Sequence, residues 1–554
     1  MATHDPLQRL QQLILVERED IGALLAFGVG IGLMSLATPV AVQALVNTIA
    51  FGALLQPLVV LTLILLVLLS FSNALVALQF YVVEMLQRRL FVRLFGESAN
   101  RLRNVAVSAR DHHDLPELAN RFFDVVSLQK TAASLLLETL GYLLQTLIGM
   151  ILLAFYHPLL LAFDLFLIAA LYLILFVMGK QGIPTAIEQS KAKYTAAAWL
   201  ENIAANPVLG KSRLGADFVD RHSERIAQNY LQACVRHFRI LSRQNVGALI
   251  LHTLANTALL GMGGWMVIER QLSLGQLIAA ELVVNAMVYG LTRLGKTLDN
   301  FYELVASVDK IGYLLDLPQE SEQGVAPTAT EQGYRVEISQ LCLPDTAHSD
   351  PANRVNLVLE PGENLVISAG AERGSLLDAV FGSRAPSGGR IYLNGQDLRE
   401  LNLGQLRDTV CLVRHAELVE ATVAENLTVG RELPLTELRA ALNRVGLLET
   451  ISALPDGLNT ALYPHGAPLG EEQAQRLTLA RAIAARPRLL LIDRALDRID
   501  SHYLPTILDA LLAEDAPWTL LAVSHDPLVL ARFRRRAVLV EGRLLENSVP
   551  GESR

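Results

Sequence analysis

Upstream of Asp316 the chain is a succession of long apolar runs separated by polar, arginine-rich stretches. Downstream, short apolar runs of strand length alternate with stretches of helical period. The upstream runs Ile21–Ile49, Leu58–Val83, Ala132–Tyr156, Leu159–Met178, Val246–Ile268 and Leu274–Leu291 are each long enough to cross a hydrocarbon core of roughly 30 Å. Helical periodicity continues beyond the apolar part through Val83–Val105 and Ala186–Gly210, so these helices are expected to project past the membrane. Each projection has a polar, turn-rich middle, "ARDHHDLPELANRF" and "AANPVLGKSRLGADF", expected to carry a short transverse helix. At the start, Leu7, Leu10, Leu13 and Ile14 recur at helical spacing, which suggests an amphipathic segment over 1–20, lying on the membrane surface or exposed to solvent.

The stretch 317–334 is rich in Pro, Gly, Ser and Thr and reads as a linker between a helical membrane domain, 21–316, and a second domain, 335–554. In the second domain "YRVEISQL", "ENLVISA", "GGRIYLNG", "TVCLVR", "RLLLID", "TLLAVS" and "RAVLVEGRLLE" read as strands, with helices from Ser375, Thr436 and Glu471 and another after "RLLLID". Strands interleaved with helices predict an α/β domain built on a mostly parallel sheet, with ligands beyond the strand carboxyl ends.

Composition agrees with a membrane protein: 52% hydrophobic and 18% charged residues, with a mean hydropathy of +0.35. The net charge of −8, with bases matched by acids along the chain, argues against nucleic acid as a partner. Cys234, Cys342 and Cys411 have unrelated spacings and suit a reducing compartment. The first residues lack the pattern of a secretory signal and are read as mature chain. Arginines 88, 89, 93, 101, 103 and 110, and the Lys and Arg residues between Lys180 and Arg243, place both projections on the cytoplasmic side of an inner or plasma membrane. The amino terminus and the second domain are expected on that side too.

Candidate chemistry starts at "NLVISAGAERGSLLDAVFG", Asn364–Gly382, which has the strand–loop–helix frame of a phosphate loop but no lysine. Lys310 is the last lysine in the chain. Further on, "ATVAENL" (Ala421–Leu427), "GAPL" (Gly466–Leu469), "LGEEQAQRLTLARAIAARPRLLLIDRALDRID" (Leu469–Asp500) and "AVSHDP" (Ala522–Pro527) follow in order. Together they resemble an ATP-binding cassette (ABC) transporter of the exporter type, a half-transporter whose membrane domain precedes a P-loop-type nucleotide-binding domain. The resemblance covers nearly the whole chain.

It implies ATP and Mg²⁺ as cofactors, and ATP held between one subunit's phosphate loop and the other's signature in a head-to-tail dimer. It also marks where the motifs are altered. In the phosphate loop, which includes Gly370, Glu372 takes a glycine position, Arg373 the lysine position and Gly374 the Mg²⁺-binding hydroxyl position. Counting forward from Pro361 instead puts Ser375 at the lysine position. Arg414 and His415 stand where a glutamine is expected, and Leu343 where an aromatic residue stacks on adenine. Asp493 keeps the Walker B position that holds Mg²⁺, but Arg494 takes the place of the general base. A guanidinium cannot accept a proton. In the signature, Leu469 and Gln473 remain while Gly470, Glu471 and Glu472 replace Ser-Gly-Gly; Asp500 lies in the D-loop and His525 in the H-loop.

Carboxylates also interrupt the membrane segments, Glu138, Asp164 and Glu281, and an intramembrane acid by default faces a pathway or a partner helix. The expectation is a transporter subunit in a lipid bilayer, a homodimer or a heterodimer with another half-transporter, possible partners including accessory secretion proteins. ATP binding is expected to be weak or absent and hydrolysis lost. The alternatives are a non-transporting scaffold or regulator, and an active exporter with atypical motifs. Single cysteines at Leu54 and His157 are expected to react with an impermeant thiol reagent from outside, and those at Arg101 and Arg213 only after permeabilisation. The opposite labelling pattern would invert the topology.

Overall fold

Several helix starts in this chain are fixed by side chains that catch backbone N–H groups left free by the first turn. His157 Nδ1 accepts from Leu159 N–H at 3.1 Å, with Pro158 at the first helical position. Ser273 and Gln276 form a reciprocal capping box, at 3.1 and 2.8 Å. Ser212 Oγ accepts from Gly215 N–H at 3.0 Å and opens the longest helix. The computed structural model describes residues 5–50, 55–107, 109, 115–321, 323–343, 354–368, 373–540 and 543–547. It divides into two compact units, one of Met1–Val105 and His112–Pro318, the other of Ala106–Asp111 and Gln319–Arg554.

The first unit is helical: α1 (Pro6–Val16), α2 (Arg18–Ser35), α3 (Ala37–Ala50), α4 (Leu55–Arg103), α5 (Leu115–Asn120), α6 (Asp124–Ser134), α7 (Leu140–Tyr156), α8 (Pro158–Tyr172), α9 (Gly182–Ala205), α10 (Arg213–Ile268), α11 (Leu274–Thr292) and α12 (Leu294–Leu315). It contains 6 helical spans long and apolar enough to cross a membrane, among the described residues. They cover the apolar runs read from the sequence. At 1.5 Å per residue the 56 residues of α10 reach about 80 Å, well beyond a hydrocarbon core of roughly 30 Å. Of the two expected transverse helices, the first is seen as α5, while the second reduces to a single 3₁₀ turn, Leu209–Lys211. The Ser212 cap starts α10 immediately afterwards and leaves no room for more. In α1, Leu10 and Leu13 pack against the cluster of Leu94, Val125, Leu304 and Val308, and Arg9 pairs with Asp316. Leu7 and Ile14 face outward.

Leu153, Leu160, Phe163, Leu251, Leu259, Val284 and Met287 form the main core between the spans. Close approach needs glycine at Gly149, where a Cβ would lie 2.9 Å from Met287 Sδ. Two π turns interrupt the spans, Leu135–Thr139 and Leu173–Val177. A π turn displaces the i→i−4 ladder. At the second, buried Gln244 of α10 donates to the Ile174 carbonyl at 3.2 Å and accepts from Tyr302 Oη at 3.1 Å.

The second unit holds two sheets. A six-stranded sheet has the order β10-β9-β3-β8-β7-β6, with β3 (Asn364–Ser368), β6 (Val410–Val413), β7 (Leu489–Asp493), β8 (Thr519–Val523), β9 (Arg535–Val540) and β10 (Arg543–Asn547). All its pairings are parallel except the β9–β10 edge. β7 and β8 are buried at every position, as strands covered on both faces must be. This is the mostly parallel sheet read from the sequence; in addition β1 (Val336–Cys342), β2 (Val355–Leu359), β4 (Gly388–Leu393) and β5 (Gln396–Asp397) form a separate antiparallel sheet, β2-β1-β4-β5. β2 was missed because its outward Val358 hides the alternation. The segment "RAVLVEGRLLE" is two strands rather than one.

The helix Glu471–Ala484 packs beside the sheet through Leu477, Leu479 and Ile483. Its Arg476 is 2% exposed, lies 3.7 Å over the Tyr503 ring and donates to the carbonyls of Val445 at 3.1 Å and Gly446 at 2.9 Å. Removing it strands the buried Val445 carbonyl and the part-buried Gly446 carbonyl. Arg476→Ala is expected to cost about 3 kcal/mol of stability, with Arg476→Lys recovering less than half because an ammonium lacks the planar fork. Thermal unfolding of the purified chain measures both; an unchanged melting temperature for Arg476→Ala would contradict this role.

Candidate functional site

The carboxyl ends of β3, β6, β7 and β8 form the edge at which open α/β sheets bind ligands. Beyond β3 the loop leads into the helix α13 (Arg373–Val380). Gly370 and Glu372 lie outside the described residues, as do the side chains of Arg373, Gly374 and Ser375 in the first turn of α13. Leu343 is buried in the core around Val336 and Leu365, not displayed as a platform.

Asp493 ends β7 at 2% exposure. One residue past β6, Arg414 donates from Nε to Asp493 Oδ2 at 2.6 Å and from Nη2 to Asp378 Oδ1 at 2.9 Å. Asp378 belongs to α13, is buried, and also accepts from Ser383 Oγ. A single guanidinium thus joins two buried carboxylates from different elements. Burial works against its charge, but Asp378 and Asp493 more than offset this and leave the Arg414 pKa raised. Arg494 follows in the left-handed region, φ 53°, with Nε 3.6 Å from Asp493 Oδ1. Arg384 Nε lies 3.9 Å from Asp378 Oδ2.

Mg²⁺ takes oxygen ligands at close range. Here Asp493 Oδ2 is held by Arg414, and Oδ1, without a hydrogen-bond partner among the described residues, lies 3.6 Å from the Arg494 guanidinium, whose charge opposes a cation there. The residues present therefore do not fit a divalent cation at Asp493.

His525 follows β8 on an exposed turn, its backbone N–H donating to Asp497 Oδ1 at 3.2 Å and Oδ2 at 3.1 Å. The same carboxylate accepts from Ser524 Oγ. Asp500 Oδ1 accepts from His502 N–H at 2.8 Å and shapes the D-loop turn. At the signature, Leu469 is buried and Gln473 Oε1 accepts from Gly470 N–H at 3.0 Å, so this glutamine caps its own helix. Glu472 pairs with Arg476 at 2.8 Å, and exposed Glu471 lies 3.7 Å from Arg498. With His415, itself 3.4 Å from Glu417, they border an open cavity of about 930 Å³.

In the membrane unit, Glu138 lies in the first π turn, 3.5 Å from Lys296. Asp164, 3% exposed in α8, has no hydrogen-bond partner for either oxygen among the described residues, and Glu281 is exposed on α11. Among the described residues no hydrogen bond or ion pair joins any two of the three. Sequence reasoning missed Asp378 and Asp497 altogether and saw Arg414 only as a lost glutamine. Asp378, a lone acid inside "SLLDAVFG", was the available signal.

Residues 21–290 match the ABC transporter transmembrane region, and residues 352–497 match the ABC transporter domain. The chain is 31% identical over 280 residues to an ATP-dependent lipid A-core flippase of Thiobacillus denitrificans, covering 50% of this chain and 48% of the flippase. It is 28% identical over 306 residues to a multidrug efflux ATP-binding/permease protein of Mycobacterium tuberculosis, covering 54% and 26%. It is 26% identical over 317 residues to a mycobactin import ATP-binding/permease protein of Mycolicibacterium smegmatis, covering 56% and 55%. The matches thus span about half or less of each relative. The fold matches a bacterial Atm1-family ABC exporter solved with ATP bound, at a TM-score of 0.82 and 18% identity over 96% of both chains. With a membrane region followed by an ABC domain, on a fold shared almost end to end with an ABC exporter, this chain belongs to the ABC transporters.

Proposed function

We propose that this chain is a transporter subunit that acts as a dimer, with domains at 21–316 and 335–554 and its soluble domain in the cytoplasm, and that this domain is impaired in ATP binding and hydrolysis. ABC transporter domains in general bind ATP and Mg²⁺. The observation that carries the impairment is at the end of β7, where Asp493 is engaged by Arg414 and followed by Arg494. A hydrolytic site needs a group there to take a proton from water, and a guanidinium cannot. The signature adds to this, since Glu471 and Glu472 put negative charge where the other subunit's nucleotide would close.

The named relatives carry efflux, flipping and import in their descriptions, so the likeness supports a transport frame rather than one cargo. The membrane unit, with its apolar spans and packed core, is retained, as transport requires. The purified chain in lipid nanodiscs is expected to hydrolyse ATP no faster than Asp493→Ala, measured as phosphate release. Turnover that depends on Asp493 would refute the impairment.

A further inference from the structure

At the carboxyl edge of the six-stranded sheet, two buried carboxylates, Asp378 and Asp493, are surrounded by the guanidinium groups of Arg414, Arg384 and Arg494. The cluster has more positive than negative charges. Asp493 Oδ2 is 2.6 Å from Arg414 Nε, a normal charge-assisted distance, and Oδ1 looks toward Arg494 at 3.6 Å. A metal ion binding through Oδ2 would have to displace Arg414, and one at Oδ1, which has no hydrogen-bond partner among the described residues, would sit beside the charges of Arg414 and Arg494. The geometry also spans three elements, because Arg414 follows β6, Asp493 ends β7 and Asp378 lies in α13.

We propose that the Arg414 guanidinium is a built-in cation that takes the place of a divalent metal at Asp493. It ties the ends of β6 and β7 to α13 and makes the soluble unit indifferent to divalent metal. This deepens the proposed impairment at the same sheet edge, but it is tested by metal binding and melting rather than by turnover, so either can fail without the other. A guanidinium is always charged and directional, so the tie persists whatever the metal concentration. Because both acids are buried, losing Arg414 alone leaves them with only the longer contacts to Arg384 and Arg494, at 3.9 and 3.6 Å.

The test uses Mn²⁺ as a spectroscopic probe with the purified full chain. Electron paramagnetic resonance titration is expected to show no difference between the wild type and Asp493→Asn. Arg414→Gln should gain bound Mn²⁺, at least about tenfold tighter than wild type, and adding Asp493→Asn should abolish it. Mn²⁺ binding by the wild type that depends on Asp493 overturns the proposal, as does a folded Arg414→Gln chain that gains none. If Arg414→Gln does not fold, a melting cycle decides. Arg414→Met added to the pair Asp378→Leu and Asp493→Leu should melt above that pair alone, because the guanidinium is then removed with both of its partners. A triple variant that melts no higher than the pair refutes the tie. Addition of Mg²⁺ or a chelator should leave the wild-type melting temperature unmoved; a rise with Mg²⁺ that disappears in Asp493→Asn also refutes it.

Discussion

It is costly for a polar group shut away from water to lack a partner, and key contacts in both units of this chain answer that cost. In the membrane unit it dictates helices, since a helix satisfies its own backbone in hydrocarbon. Where the ladder slips, at the π turn Leu173–Val177, a side chain from another helix supplies the missing donor: Gln244 bonds the Ile174 carbonyl and is itself held by Tyr302. In the soluble unit Arg476 does the same for the carbonyls of Val445 and Gly446. At the sheet edge the need is for charge, and Arg414 meets it for Asp378 and Asp493 together.

The substitutions at the motif positions thus look different in three dimensions from how they look along the chain. Arg414 in place of a glutamine reads in sequence as one more loss, but in the structure its side chain is a working part of the local fold. Glu472 is comparable: at a glycine position it reads as a defect, yet it pairs with the arginine that braces its own helix. Arg414 and Glu472 are each bonded to their neighbours.

Much of this was legible in the sequence, and the reasons are local. The apolar runs announced the spans because length and composition alone decide that question. The Leu469–Asp500 stretch gave a capped helix, a buried strand and the turn after it because each signal lies within a few residues. What escaped depended on distance along the chain. The bond from Arg414 to Asp493 joins residues 79 apart and that to Asp378 residues 36 apart, and no periodicity reports such a meeting. The separate antiparallel sheet was missed for a related reason: strand residues such as Val358 reveal a face, not the neighbour they pair with.

The uninterrupted length of α10 has a mechanical consequence. A single helix of 56 residues has no proline and no second start within it, so it behaves as a stiff rod and not as two jointed pieces. A tilt of about 5° at its Ile268 end displaces its Arg213 end by about 7 Å, taking the rod as about 80 Å long. Small rocking among the apolar spans is thereby geared up into a large sweep at the far tip, and no chemical event along the rod is needed to carry it.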